Sequence, residues 1–310
     1  MTTVFVFPGQ GTQFIGMGKD LAEQFDVARH VFEEVDEALH QSLSRLMFDG
    51  SITELTQTQN AQPAIMAVSI AALKTYESLT GTKTLDTACF AVGHSLGEYS
   101  ALCAVGALNV SQTAKLLQAR GSAMQRAAQK TPGAMAAILG LDKDQITDLI
   151  QSNISENEIC VIANDNCPGQ IVISGEKTAI EKVIASASEH GAKRALLLPV
   201  SGGFHSPLMQ PAAEEMAPVL RDTPFQNPSV PIIANVTARP VSDAETIKKL
   251  LTDQITGSVR FTESTRFLKD HGISRVIEFG PGKVLTGLMK RMMPETTFLN
   301  INTADSLKTL

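Results

Sequence analysis

The chain has 310 residues, 43% hydrophobic and 19% charged, with a formal net charge of −6. That length suits one large domain, or a large and a small one, of ordinary globular composition. The acidic balance argues against broad nucleic-acid binding, and no apolar run approaches the length of a membrane span.

The first residues lack a basic n-region and are too short for a signal peptide, so a cytoplasmic protein is expected. Thr3–Phe7 is a continuous apolar run, expected to be a strand buried on both faces. It ends at Pro8-Gly9-Gln10-Gly11-Thr12-Gln13, which cannot continue a strand. Phe14 takes the third glycine position of a dinucleotide fingerprint, and there is no Gly-Lys-Ser/Thr, so this is not a P-loop. It is either a tight turn or a loop whose N–H groups face a ligand.

Residues 20–40 and 62–80 read as helices. Ala88–Val92 reads as a strand and Tyr99–Val105 as a helix, with Gly93-His94-Ser95-Leu96-Gly97 between them. A G-x-S-x-G where a strand turns into a helix is a nucleophile-elbow signature, with the Ser95 hydroxyl thrust out at the strand end. The Leu96 N–H, at the helix start, can donate to an oxyanion.

The next helix, from about 111 to 129, carries an apolar stripe of Leu117, Gly121, Met124 and Ala128. Arg120 falls within it. An arginine facing a core needs an anionic partner, for which Gly121 would leave room. That partner is a ligand, or a buried carboxylate of the protein, unless the arginine snorkels.

From 133 to 200 the pattern changes. Strands are expected at 134–139, 159–163, 170–174 and 195–200, with helices at 142–153, capped by Asp142, and at 177–190. The order βαββαβ is the ferredoxin-like unit, inserted between two parts of a larger domain. Ser201-Gly202-Gly203-Phe204-His205-Ser206-Pro207 follows, with Ser206 as the N-cap of a helix reaching about Arg221 and Pro207 at its first position. His205 thus sits in a glycine-rich loop. His30, His40, His190 and His271 fall in expected helices, and His94 is expected to point away from the reacting side.

The remainder alternates: strands at 231–236, 275–279 and 297–301, helices at 243–256, 260–271 and 283–292. Gly280-Pro281-Gly282-Lys283 is followed by Val284, which rules out a phosphate loop. An open α/β sheet is expected, with the Gly9–Gln13 loop, Ser95 and His205 all at the C-terminal edge of its strands. The four cysteines, Cys89, Cys103, Cys160 and Cys167, form no C-x-x-C. Reduced core thiols are expected rather than a disulfide frame or zinc site.

The sequence resembles the acyltransferase family that includes the malonyl-CoA:acyl-carrier-protein transacylases of bacterial fatty acid synthesis and the acyltransferase domains of polyketide synthases. The resemblance spans essentially the whole chain. It rests on Phe7-Pro8-Gly9-Gln10-Gly11-Thr12-Gln13, Gln62-Pro63-Ala64, Gly93-His94-Ser95-Leu96-Gly97-Glu98-Tyr99-Ser100 and Arg120-Gly121. It continues through Gly133-Ala134-Met135-Ala136, Asn166-Cys167-Pro168-Gly169-Gln170, Phe204-His205 and Gly280–Gly287.

The resemblance implies an α/β-hydrolase-like large domain (1–130 and 201–310) with a ferredoxin-like subdomain (131–200). It implies that Ser95 is the acylated nucleophile and His205 its general base. It implies that Gln10 and Leu96 give the oxyanion N–H groups, that Arg120 pairs with the malonyl carboxylate and that the Gln254 carbonyl orients the histidine. Asn166, Phe204 and Met135 are expected near the site. Gly203 departs from the alanine that many malonyl-selective members have before Phe-His. The implied partners are malonyl-CoA and an acidic acyl carrier protein, with no metal or other cofactor, no nucleic acid and no membrane, in a monomer. Lys193-Arg194 and Lys290-Arg291 are candidate docking residues for the carrier. A trans-acting polyketide acyltransferase and an acyl-thioester hydrolase remain alternatives.

Overall fold

The computed structural model describes residues 2–200 and 202–308, so Ser201 of the loop before His205 lies outside the described residues. The strands are β1 (Thr3–Phe7), β2 (Ala88–Gly93), β3 (Gly133–Leu139), β4 (Cys160–Cys167) and β5 (Gln170–Glu176). They continue with β6 (Arg194–Leu197), β7 (Ile232–Ala234), β8 (Arg239–Val241), β9 (Arg275–Phe279) and β10 (Thr297–Ile301).

One sheet has the order β10-β9-β1-β2-β7-β8 and the other β4-β5-β3-β6. In the first, all neighbours are parallel except β7 and β8. β1 lies centrally and every residue of it is buried, as a strand covered by helices on both faces requires. Phe7 of β1 is level with Gly93 of β2, so the loops leaving these two strands emerge side by side. The second sheet is antiparallel throughout, as the ferredoxin-like arrangement demands.

The two sheets are tied where β4 meets the segment after the helix Ala244–Thr256. Asp165 N–H donates to Val259 O (3.0 Å) and Val259 N–H to Ala163 O (2.8 Å). β4 runs on to Cys167, beyond the expected 159–163, because Asn164, Asp165 and Cys167 pair with β5 while buried. β6 stops at Leu197, short of the expected 200, since Pro199 has no N–H to give the ladder. The expected helix 20–40 splits into Lys19–Gln24 and Asp26–Leu39 at an extended Phe25. β8, which the sequence did not suggest, is an edge strand, where Pro240 is tolerated.

The helix Val110–Lys130 begins at an Asn109–Gln112 capping box. It packs on Thr58–Thr80, a helix buried almost all round. Among the described residues no helix is long and apolar enough to cross a membrane. The four cysteines are free thiols; burial pushes Cys103 up to about 11 and Cys160 up to about 12. Near the end of β9, the buried Glu278 carboxylate accepts the N–H groups of Leu285 (3.1 Å) and Thr286 (2.8 Å). An acid therefore fills the helix start that a phosphate loop would leave open.

Candidate active site

The site grows from the end of β2. A Cβ on Gly93 would lie 1.8 Å from the Gly97 carbonyl carbon, and one on Gly97 would lie 2.2 Å from Phe7 O. Only glycines let the strand turn this sharply against β1. Ser95 has φ 54°, a left-handed conformation costly for a serine. The turn is held through main-chain atoms: Ser95 N–H donates to Asn235 Oδ1 (2.7 Å) and Asn235 Nδ2 donates to Gly93 O (2.7 Å).

Ser95 Oγ lies 2.8 Å from His205 Nε2. The Nδ1 of His205 lies 2.9 Å from Gln254 O and 3.1 Å from Gly257 O. Two carbonyls can only accept, so the ring proton sits on Nδ1 and the Nε2 lone pair faces the serine. Burial, then the charge of Arg120, bring His205 down to about 3, which leaves it neutral at ordinary pH. One expectation is corrected here. His205 follows β6, a strand of the second sheet, so it does not share a sheet edge with the Gly9–Gln13 loop and Ser95. It reaches the serine because the two sheets face one cavity.

Arg120 is 1% exposed. Its Nη1 donates to Gln62 Oε1 (2.8 Å), and its Nη2 donates to Gln254 Oε1 (2.8 Å) and Ser95 Oγ (3.1 Å). Its Nε has no acceptor, and no carboxylate among the described residues forms an ion pair with it. The guanidinium lies 5.6 Å from the centre of the Tyr99 ring. Gly121 does not leave room for an anion as expected. A Cβ there would meet Thr58 O at 2.5 Å, so this glycine instead lets the two helices close up and brings Gln62 to the arginine.

A cavity of about 630 Å³ opens over these atoms, lined by Gln10, Ser95, Arg120, Met135, Phe204 and His205 among others. Among the described residues, the N–H groups of Gln10 and Leu96 have no acceptor. Asn166 is one step removed: its Oδ1 lies 2.8 Å from His94 Nε2. His94 itself lines the cavity and does not point away from it, which corrects the reading of that histidine. Gly203 packs against β5, where a Cβ would lie 3.1 Å from Gly175 O and 2.8 Å from Leu208 Cδ1. Asn235, Gln62, Asn164 and Glu98 were not singled out from the sequence. A signal for Asn235 was present, a polar residue inside the otherwise apolar strand expected at 231–236.

Fold and site together define the class, an α/β acyl-transfer enzyme built on a serine elbow. The chain belongs to the acyl transferase family, whose acyl transferase domain matches residues 4–307. It is 46% identical over 288 residues, 93% of this chain and 89% of the relative, to the malonyl CoA-acyl carrier protein transacylase of Bacillus subtilis (strain 168). The crystal structure of an acyl-carrier-protein-S-malonyltransferase from Bartonella henselae superposes with a TM-score of 0.96 at 49% identity, covering 100% of this chain and 98% of that one. A type II polyketide synthase acyl-carrier protein in complex with its malonyl-transacylase matches with a TM-score of 0.94 at 38% identity, over 100% of this chain and 98% of that one.

Proposed function

We propose that this chain transfers the malonyl group from malonyl-CoA to the phosphopantetheine thiol of an acyl carrier protein, supplying fatty acid synthesis from the cytoplasm as a monomer. The observation that carries this reading is Arg120, a buried cation with no ion pair among the described residues, donating to the hydroxyl of the elbow serine.

His205 takes the Ser95 proton as Oγ attacks the thioester carbonyl. The Gln10 and Leu96 N–H groups hold the resulting oxyanion. Collapse expels the CoA thiolate, which leaves with the proton from His205. The carrier thiol then repeats the steps in reverse on malonyl-Ser95. Arg120 holds the malonyl carboxylate throughout, its fork suiting two oxygens. That pairing also offsets the arginine charge that depresses His205, so the base strengthens when the correct acyl group is bound. No metal or redox group takes part in this chemistry. The division into 1–130 with 201–310, and 131–200, is our reading of the two sheets.

The same elbow serves hydrolases, so the test is CoA release with and without carrier protein. Transfer predicts one fast equivalent per enzyme without carrier and sustained turnover only with it. Steady CoA release without carrier would instead make the protein a thioester hydrolase. A panel of fatty acid and polyketide carriers distinguishes the pathway.

His205→Ala is expected to slow both half-reactions by about 10²–10⁴-fold, the usual contribution of a positioned base. Rapid-quench loading and unloading rates measure this, and near-normal rates at pH 7 would remove His205 from the mechanism.

Docking of an acidic carrier is supported by one surface corner. Lys193, Arg194, Lys290 and Arg291 are exposed, and none of them forms an ion pair among the described residues. Arg291 Nη2 donates to Pro168 O (2.9 Å) in the β4–β5 turn, and that turn bonds to Gly140, beside Lys193. Reversing the charge of Lys193 and Arg194 is expected to raise KM for carrier protein, most strongly at low salt, and to leave KM for malonyl-CoA alone. Unchanged carrier kinetics at low salt would remove the pair from the docking surface.

A further inference from the structure

Beneath the reacting atoms lies a carboxylate that the mechanism above does not use. Glu98 is 1% exposed, three residues after Ser95 on the helix Gly97–Ala104. Its Oε2 accepts the Asn235 N–H (3.0 Å) and Gln254 Nε2 (2.8 Å). Through Asn235 it supports the elbow, since Asn235 Oδ1 accepts the Ser95 N–H (2.7 Å).

The orientation of the Gln254 amide follows from its neighbours. Its Nε2 also donates to Ser95 O (3.0 Å), which can only accept. Its Oε1 accepts from Arg120 Nη2 (2.8 Å), which can only donate. The amide therefore turns its oxygen to the arginine and its NH₂ to the glutamate. A buried cation and a buried anion are joined through one dipole, without touching. Each charge would be costly alone, and each lowers the cost of the other.

We propose that Glu98 is the resting counter-charge of Arg120, joined to it through the Gln254 amide. It leaves that role by taking one proton from solvent when an acyl carboxylate pairs with the arginine. The proposal rests on the malonyl reading above and deepens it: selection of an anionic acyl group becomes a proton-linked event.

The groups acting on Glu98 are few. Burial pushes its carboxyl up to about 7, while Asn235, Gln254 and the charge of Arg120 pull it down. Tyr99, on the same helix, interacts with both Glu98 and Arg120, and burial keeps it at about 12, so it stays neutral. His205, on the far side of Gln254, is neutral as well. Two anions then compete for one cation when malonyl binds, and Glu98 is the one already close to protonation.

The sign follows. A bound carboxylate occupies Arg120 and raises Glu98 further, so protons are taken up on binding near neutral pH. Malonyl affinity then falls as pH rises through that window, by at most about tenfold per pH unit for one proton. Acetyl-CoA brings no anion to Arg120 but carries the same CoA phosphates. The malonyl-to-acetyl ratio therefore cancels the titration of CoA itself.

Calorimetry on the Ser95→Ala protein, in two buffers of different ionisation enthalpy near pH 7, reads the proton directly. Malonyl-CoA is expected to take up more protons than acetyl-CoA, and Glu98→Gln in the same background is expected to abolish the excess. Equal uptake for the two ligands, or an excess that survives Glu98→Gln, would overturn the proposal. Should Glu98→Gln not fold, wild-type kcat/KM for malonyl-CoA over acetyl-CoA, measured from about pH 6 to 9, still decides it. The ratio is expected to fall as pH rises, and a flat ratio contradicts the proposal. Failure of the malonyl reading would look different: malonyl-CoA would bind no better than acetyl-CoA at any pH, with or without Arg120.

Discussion

In the Ser95→Ala variant no malonyl adduct is expected after mixing with malonyl-CoA, and transfer is expected to fall on the order of 10⁶-fold, the scale of removing a catalytic serine. The loss should be chemical rather than structural. The bonds that hold the elbow use the Ser95 N–H, donating to Asn235 Oδ1 (2.7 Å), and Ser95 O, accepting from Gln254 Nε2 (3.0 Å). Alanine keeps both and loses only Oγ. The residual rate reflects binding and the oxyanion donors alone. Intact mass reads the adduct and thermal unfolding checks the fold. An adduct persisting in the variant would move the nucleophile to another residue.

Arg120→Ala is expected to change the substrate preference. The guanidinium is fully buried and donates to two glutamine side chains and the serine, with no ion pair among the described residues. A malonyl carboxylate would supply a direct ion pair. Breaking such a desolvated charge pair costs about 2–5 kcal/mol, so malonyl transfer should fall by roughly 30-fold to several thousandfold. Acetyl transfer should hold or rise, because a neutral acyl group no longer has to cover a cation it cannot pair with. Lysine should rescue poorly, keeping the charge but not the fork. Removing the arginine also removes one cause of the depressed His205 value, so the acid limb of the loading rate should move to higher pH. The readout is kcat/KM for malonyl-CoA over that for acetyl-CoA. An unchanged ratio in a folded variant would make Arg120 structural.

The parts of the site legible in the sequence were those with local causes. The elbow is a strand, two glycines and a helix in one stretch, so Ser95 could be read without partners. Arg120 stood out because a cation interrupts an apolar helical stripe. His205 was marked by a glycine-rich loop and an N-cap, and the strand before it by the ferredoxin-like order, but how that unit meets the larger sheet was not legible, because the contact of β4 with Val259 joins segments distant in sequence. The polar frame was the least visible. Gln62 reaches Arg120 across 58 residues and Asn235 reaches Ser95 across 140. A lone amide in a helix looks like solvated surface until the packing buries it. Glu98 sat inside a recognised motif, yet nothing local distinguishes a capping acid from a buried counter-charge.

The central claim is that malonyl passes through Ser95 from CoA to a carrier protein. It is tested most directly by intact mass of the wild-type protein, first with malonyl-CoA alone and then after addition of holo carrier protein. The account predicts one malonyl adduct on the enzyme, mapped to Ser95. On addition of carrier it disappears at the rate at which malonyl appears on the phosphopantetheine arm. Malonyl-carrier formed without any adduct on the enzyme, or an adduct lost to water rather than to carrier, would contradict it.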